Sequence, residues 1–576
     1  MQRRKFLKLM AASASATALP LAANLGCATK SAMAGVSPSD NGSLTSFPVS
    51  DWDAVVKEGW GIVGDAAGPG TWDGVSLKSP NISGLAGDGP FKPDWQSLLE
   101  YDAPEWYQDA KFGIWAHWSP QCVPEDGDWY ARKMYMQGEK QYTNHLQQYG
   151  HPSVSGYKEL CAQWTLLNWE PEALIQRYKR AGARLFLAVA NHHDGFDAWN
   201  SKYQAWNSAN IGPRKDVIGV WAAAARQQGL RFGVTVHAAR NWWWFQVAHL
   251  CDKTGPQAGV PYDGRLTLRD GQGQWWQGFD PQQLYCRKHG IHENPDESYV
   301  RNFYNRVRDL LDQQDPDLLY FDNGGLPLGW AGMNIAAYFY NHNLKTRGGR
   351  MEAVLNIKQV PDSHAKAVVA DYERGVTNAI KPYAWQSETC IGDWHYNRHR
   401  FLHHSYMQPG QAIHWMVDAV SKNGTFILNV PGKPDGTIDA DEEAIVDAIG
   451  SWMQINGEAI YATRPWKVFG EGAHEVEGGA FSGRTTSQLD ARDIRFTRNK
   501  RGDVVYAIVL GWPDGDSFVI KNLGTASPAQ PGAVKNVELL GSHEKLDWRQ
   551  TSEFLTVMKP VEKPCDFACA LKVSFT

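Results

Sequence analysis

A chain of 576 residues exceeds what one ordinary hydrophobic core accommodates, so two or more domains are expected. Apolar residues make up 43% and charged residues 21%, which excludes general disorder, and beyond residue 30 no apolar run reaches the roughly 20 residues of a membrane-spanning helix. Lys and Arg total 57 against 62 Asp and Glu, a balance of −5, too even for a nucleic-acid or other polyanion-binding surface.

The N-terminus reads MQRRKFLKLM followed by a small-residue apolar run to Leu25, the order of a charged segment, an apolar segment and a processing site. Arg3 and Arg4, followed by Lys5, Phe6 and Leu7, resemble a twin-arginine signal for export in the folded state. Residues 1–34 are therefore read as an export signal and the start of a tether. Two fates are open: cleavage near Ala32 or Ala34, or a lipid anchor at Cys27, although Asn24 stands where such signals usually carry an aliphatic residue. The protein is expected in the periplasm, on a membrane as a lipoprotein, or secreted. Residues 35–95 continue as tether and lead-in, rich in Ser, Ala and Gly at first.

From 96 to 460, short β-like runs alternate with amphipathic helical stretches. The strand candidates are KFGIWAHW at Lys111 to Trp118, RLFLAVANHHDG at Arg184 to Gly195, LRFGVTVHAA at Leu230 to Ala239, DLLYFDNG at Asp317 to Gly324, AVLNIK from Ala353, YAWQSET from Tyr383 and TFILNV at Thr425 to Val430. PEALIQRYKRAG from Pro171 and DVIGVWAAAARQQG from Asp216 have apolar spacing near 3.6 and a terminal Gly. Repeated strand-then-helix units predict an α/β fold, a (β/α)8-like barrel distorted by its uneven spacing. After residue 460 the texture turns to short β segments such as DVVYAIVLGW from Asp503, NVELLG from Asn536 and the terminal ALKVSFT, and 461–576 reads as a β-sandwich.

The cysteines other than Cys27 lack CxxC spacing, so no metal or cofactor is expected; a Cys565–Cys569 bridge or buried free thiols are both open. Polar residues gather at the carboxyl ends of the candidate strands: His117 with Trp118, His192 and His193 with Asp194, His237 with Arg240, and Asp322. Barrel enzymes place their chemistry there. With no metal-spaced triad among these strand ends, carboxylates are the expected catalysts, and 26 Trp supply flat apolar faces of the kind that line sugar pockets.

The runs DAKFGIWAHWSPQCVPEDGDWYARKMY at Asp109 to Tyr135, NHHDGFDAWNSKYQAWNS at Asn191 to Ser208 and GPRKDVIGVWAAAARQQGLRFGV from Gly212 resemble the α-L-fucosidases of glycoside hydrolase family 29. PDLLYFDNG from Pro316, SKNGTFILNVPGKPDGTI at Ser421 to Ile438 and INGEAIYATRPW at Ile455 to Trp466 extend the resemblance across the barrel. It implies a retaining exo-glycosidase acting on terminal α-L-fucosyl residues, with Asp322 as nucleophile. For the acid/base it implies a Glu on a loop beyond the nucleophile. Among Glu352, Glu373 and Glu388, Glu373 in DYERG is preferred, with Glu388 as the alternative. Fucose contacts carry over to His117, Trp129, His192 and His193, and Trp394 in QSETCIGDWHY joins them. Asp128 stands where the family often has Glu. At the end of LRFGVTVHAA, read as the family's fourth strand, Thr235, His237 and Arg240 replace its usual Tyr and Ser. His237 and Arg240 then either add positive potential suited to a sulfated or otherwise anionic sugar, or serve as scaffolding. The expected partner is a fucosylated or L-galactose-containing glycan. Alternatives are an α-L-galactosidase, a sulfated-sugar hydrolase, and a decayed carbohydrate-binding barrel.

Overall fold

The computed structural model describes residues 84–290 and 293–576; the export signal, Cys27 and most of the lead-in segment lie outside them. Eight parallel strands close into a barrel in chain order. They are β1 (Phe112–Ala116), β2 (Leu185–Asn191), β3 (Arg231–Val236), β4 (Leu318–Gly324), β5 (Val354–Lys358), β6 (Val369–Glu373), β7 (Trp385–Cys390) and β8 (Gly424–Asn429). LRFGVTVHAA is thus the third strand, and β6 was not among the strand candidates.

The outer layer carries α1 (Pro171–Arg180), α2 (Val217–Gln227), α3 (Glu297–Gln314), α4 (Trp330–Thr346), α5 (Pro409–Ser421) and α6 (Ala440–Asn456). Several form where a capping residue meets apolar spacing. Asp216 accepts the Gly219 N–H (2.8 Å) at the head of α2, which buries Val217, Ile218, Trp221 and Ala225. Asp296 accepts the Tyr299 N–H (2.8 Å) at the head of α3, which buries Val300, Phe303, Val307 and Leu310. Among the described residues no α-helix joins β5 to β6 or β6 to β7. The barrel is distorted there because those connections are too short to hold one.

Alternation along the strands decides what faces inward. Leu185, Leu187 and Val189 of β2, Leu318 and Tyr320 of β4, Val354, Val369 and Ile427 form the barrel interior. Phe186, Ala188, Leu319, Phe321 and Leu355 face the helices. Extended two residues at a time toward the carboxyl ends, the inward stripes arrive at His117, His237, Asp322, Lys358, Glu373, Glu388 and Asn429. The barrel core therefore points its chemistry into one end.

Beyond the barrel, β9 (Arg464–Glu471), β10 (Ile494–Arg498), β11 (Val504–Val509), β13 (Val534–Leu539) and β16 (Cys569–Phe575) form a five-stranded antiparallel sheet in the order β13-β16-β11-β10-β9. A second sheet pairs β12 (Ser517–Ile520), β15 (Leu555–Met558) and β14 (Trp548–Gln550). Phe496, Ala507, Phe518, Val557 and Leu571 share the core between them. Cys565 and Cys569 are free thiols, which removes the bridge as an option.

Candidate active site

A cavity of about 340 Å³ opens at the carboxyl end of the barrel, lined by His117, Trp129, His192, His193, His237, Arg240, Asp322, Glu373, Glu388 and Trp394. Trp115 and Tyr320, one interior layer deeper on β1 and β4, also line it. Asp128 does not: its carboxylate accepts the backbone N–H of His395 (2.8 Å), which fixes the turn carrying Trp394. Through that contact Asp128 braces the cavity wall.

Asp322 is held by three protein groups. His193 Nε2 lies 3.2 Å and His237 Nδ1 3.3 Å from Oδ2, and the ammonium of Lys358 bonds Oδ1. Burial pushes the carboxyl up, but Lys358, His237 and the imidazole contacts outweigh it and hold Asp322 well below the usual carboxylate range. It stands as an anion. Lys358 Nζ also donates to Glu373 Oε2 (2.5 Å), so one ammonium touches both carboxylates. Burial would discharge Lys358, yet the charge of the neighbouring carboxyl groups, Asp322 first, raises it above the ordinary lysine range.

Glu388 sits across from Glu373 in the β6–β7 register and is 1% exposed. Burial first, then the charge of Asp371, pushes it well above the usual range, and Oε2 has no hydrogen-bond partner in the structure. Asp371, one inward position below Glu373, is raised by burial to about 7 despite Lys358 and the Gln386 amide (2.8 Å). Both are shifted toward the neutral acid, whereas Asp322 carries the charge. Environment has separated chemically similar groups.

The histidines are fixed by their second nitrogens. His117 Nδ1 donates to Asn429 Oδ1 (3.1 Å), His192 Nδ1 meets Gln121 Nε2 (2.8 Å), and His193 Nδ1 donates to the His237 carbonyl (2.9 Å). Burial drives His117 and His192 well below the ordinary imidazole range and takes His237 to about 4 against the pull of Asp322. His237 therefore brings no positive potential near neutral pH; only Arg240 of the expected pair supplies it. His117, His192 and His237 bring ring nitrogens within 4.8 Å of one another, as do His193, His237 and Asp322 with their ligand atoms. Neutral imidazoles in the first group are donors and acceptors matched to sugar hydroxyls, and in the second Lys358 already occupies the carboxylate.

Lys358, Asp371 and Phe481 are the lining residues that strand-end motifs do not pick out. For the first two the signal is the inward alternation, Val354-Asn356-Lys358 and Val369-Asp371-Glu373. Phe481 comes from the loop between β9 and β10, and no local pattern marks it.

An eight-stranded parallel barrel with an ionised Asp on β4 and a Glu on β6, their inward stripes separated by that of β5, walled by Trp and neutral His, is the arrangement of a glycoside hydrolase. Residues 82–458 match the alpha-L-fucosidase family model, and 488–574 match the alpha-L-fucosidase C-terminal domain. The chain belongs to the alpha-L-fucosidase family. It is 27% identical to the human tissue alpha-L-fucosidase over 497 residues, 84% of this chain and 92% of the relative. A Thermotoga maritima alpha-fucosidase solved with a mechanism based inhibitor superposes with a TM-score of 0.63 at 26% identity, covering 84% of this chain and 100% of that one. The same enzyme with fucose gives 0.61 at 25% identity over the same shares.

Proposed function

We propose that this protein removes terminal α-L-fucosyl residues from glycans with net retention, Asp322 being the nucleophile and Glu373 the acid/base. The observation that carries the reading is the single Lys358 ammonium in contact with both carboxylates. Two groups bridged by one nitrogen lie within two hydrogen-bond lengths of each other, the regime of roughly 5 Å that belongs to a covalent double displacement; inversion needs a wider gap to admit water. A cavity of about 340 Å³ has room for one pyranose at its floor, which fits a terminal residue.

In the first step an Asp322 oxygen bonds the anomeric carbon as the glycosidic C–O bond breaks, and protonated Glu373 gives its proton to the departing oxygen. In the second, water bonds the anomeric carbon, Glu373 takes its proton and the Asp322 ester C–O bond breaks. His117 and His192, held neutral and in fixed orientations, hydrogen-bond ring hydroxyls, and Trp129 and Trp394 face the sugar's C–H surface. Asp322→Ala should abolish turnover, and azide should restore it with an inverted glycosyl azide as product. Wild-type rates in that variant would refute the assignment. Glu373→Ala should lose far more on a natural glycoside than on an activated aryl fucoside; equal losses would transfer the role to Glu388.

Arg240 is the residue a sulfated or otherwise anionic ring would need, but with His237 neutral and turned to Asp322 the unmodified fucosyl ring is the better-supported occupant. Export rests on the Arg3-Arg4 motif and the apolar run to Leu25 that follows it. An N-terminal peptide beginning after residue 26 in the mature protein, with or without lipid on Cys27, checks it, and an unprocessed Met1 terminus overturns it.

A further inference from the structure

The loop joining β9 to β10 crosses to the barrel mouth and docks on the chain that follows Glu373. Gly479 N–H donates to the Val376 carbonyl (2.7 Å), Phe481 N–H to the Glu373 carbonyl (2.7 Å) and Gly483 N–H to the Arg374 carbonyl (2.9 Å). Glycine permits this approach at two places: a Cβ on Gly375 would lie 2.2 Å from the Gly479 carbonyl oxygen, and one on Gly483 1.8 Å from the Trp415 ring. The pinned backbone holds Phe481 at a φ of 60°, a conformation bulky side chains avoid unless the surroundings impose it. The residue is 60% exposed and forms part of the sugar cavity's wall.

Phe481 also walls a second cavity of about 470 Å³. Arg374, Arg400 and Arg484 line that space and no Asp or Glu does. Arg400 is held by Asp393 (2.9 Å); among the described residues Arg374 and Arg484 have no carboxylate at ion-pair distance. Arg374 lies 5.1 Å from the ring centre of Trp394, which belongs to the sugar cavity, and follows Glu373 in the chain. Phe481 is thus common to the sugar cavity and to a positive chamber beside it.

We propose that this second cavity is the leaving-group side of the active site and takes an anionic glycan. Phe481 stacks on the first sugar beyond the fucosyl residue, and Arg374 and Arg484 meet a sulfate or carboxylate carried by it or by the next one. The inference rests on the fucosidase reading above. It moves negative charge from the ring that is cleaved to the glycan that remains.

The full-length protein is assayed on α-L-fucosyl fluoride, which has no sugar beyond the fluoride, and on neutral, sulfated and uronate-containing fucosyl oligosaccharides of equal length. The wild type should show kcat/KM about tenfold higher on at least one anionic glycan than on the neutral one, with the preference shrinking as salt rises; the sulfated and uronate arms identify the anion. Arg484→Ala should raise KM about fivefold on the preferred anionic glycan, the size of one partly exposed charge-assisted contact, with far smaller change on the neutral glycan and the fluoride. Phe481→Ala should raise KM on neutral and anionic glycans alike and affect the fluoride far less. Equal wild-type rates on neutral and anionic glycans, or an unchanged preference in Arg484→Ala, overturns the proposal while fluoride turnover leaves the fucosidase reading standing. A wild type that does not hydrolyse the fluoride overturns both.

Discussion

Lys358 gives the site its electrostatic order. Its ammonium keeps Asp322 ionised in a buried setting and ties Glu373 to the same point. Removing it as Lys358→Met leaves the Asp322 carboxylate without its cation, so kcat/KM should fall by about 10²-fold, as when one preorganised donor is lost, and Asp322 should titrate at higher pH. The bell of kcat/KM against pH reads both; an unchanged acid limb would contradict the role. His237 makes a separate prediction through stability. Its folded value of about 4 lies below the ordinary 6.5 or so, so the unfolded chain binds the proton first. The stabilisation from a neutral His237 is present above about 6.5 and is lost as pH falls through about 4, up to about 3 kcal/mol in all. Urea midpoints of His237→Gln should decline less steeply than wild type across that window. Asp371, raised to about 7, runs the other way, its contribution lost as pH rises through 7, and Asp371→Asn should flatten that opposite slope.

The elements show how far such a site reveals itself in advance. Strands such as β2 and β4 announce themselves because their inward and outward residues are both apolar, as a doubly covered parallel strand requires. Their terminal His192, His193 and Asp322 then stand out. β6 reads VADYE, with Asp371 and Glu373 on its inward stripe; that pattern resembles a polar loop until the neighbouring strands show which face is the pocket. Lys358 is concealed likewise at the end of β5, and Asp128 misleads because Trp129 beside it does line the cavity. The helices brace these ends. Arg306 on α3 donates to Asp197 Oδ2 (3.0 Å) and the Gly195 carbonyl (3.0 Å), holding the turn after His192 and His193, with both partners buried. Arg306→Met leaves Asp197 without its cation and should cost about 3 kcal/mol. Thermal unfolding should fall accordingly and KM rise as the His pair loses its brace; a rise in KM with no change in melting temperature would contradict the account.

Across the whole molecule, the barrel and the C-terminal sheets are joined through charge as well as apolar surface. Asp418 of α5 binds Lys422 (2.7 Å) and, from β10, Arg495 (2.7 Å), all three side chains almost completely buried. Asp418→Ala would bury two cations without an anion and should cost about 3 to 5 kcal/mol. Calorimetry should show a lower melting temperature, and the loop bearing Phe481 should exchange its amide hydrogens faster; a variant as stable as wild type would mean the junction is held by other contacts. The same junction places Ala480 and Phe481 in the sugar cavity, so the C-terminal sheets contribute to the active site and also support it. The claim on which the rest depends is that Asp322 becomes covalently bound to the sugar. Incubation with 2-deoxy-2-fluoro-α-L-fucosyl fluoride, followed by intact mass and peptide mapping, should find one fluorofucosyl group on the peptide containing Asp322. A label on Glu373 or Glu388, or no label together with an inverted product, would contradict it.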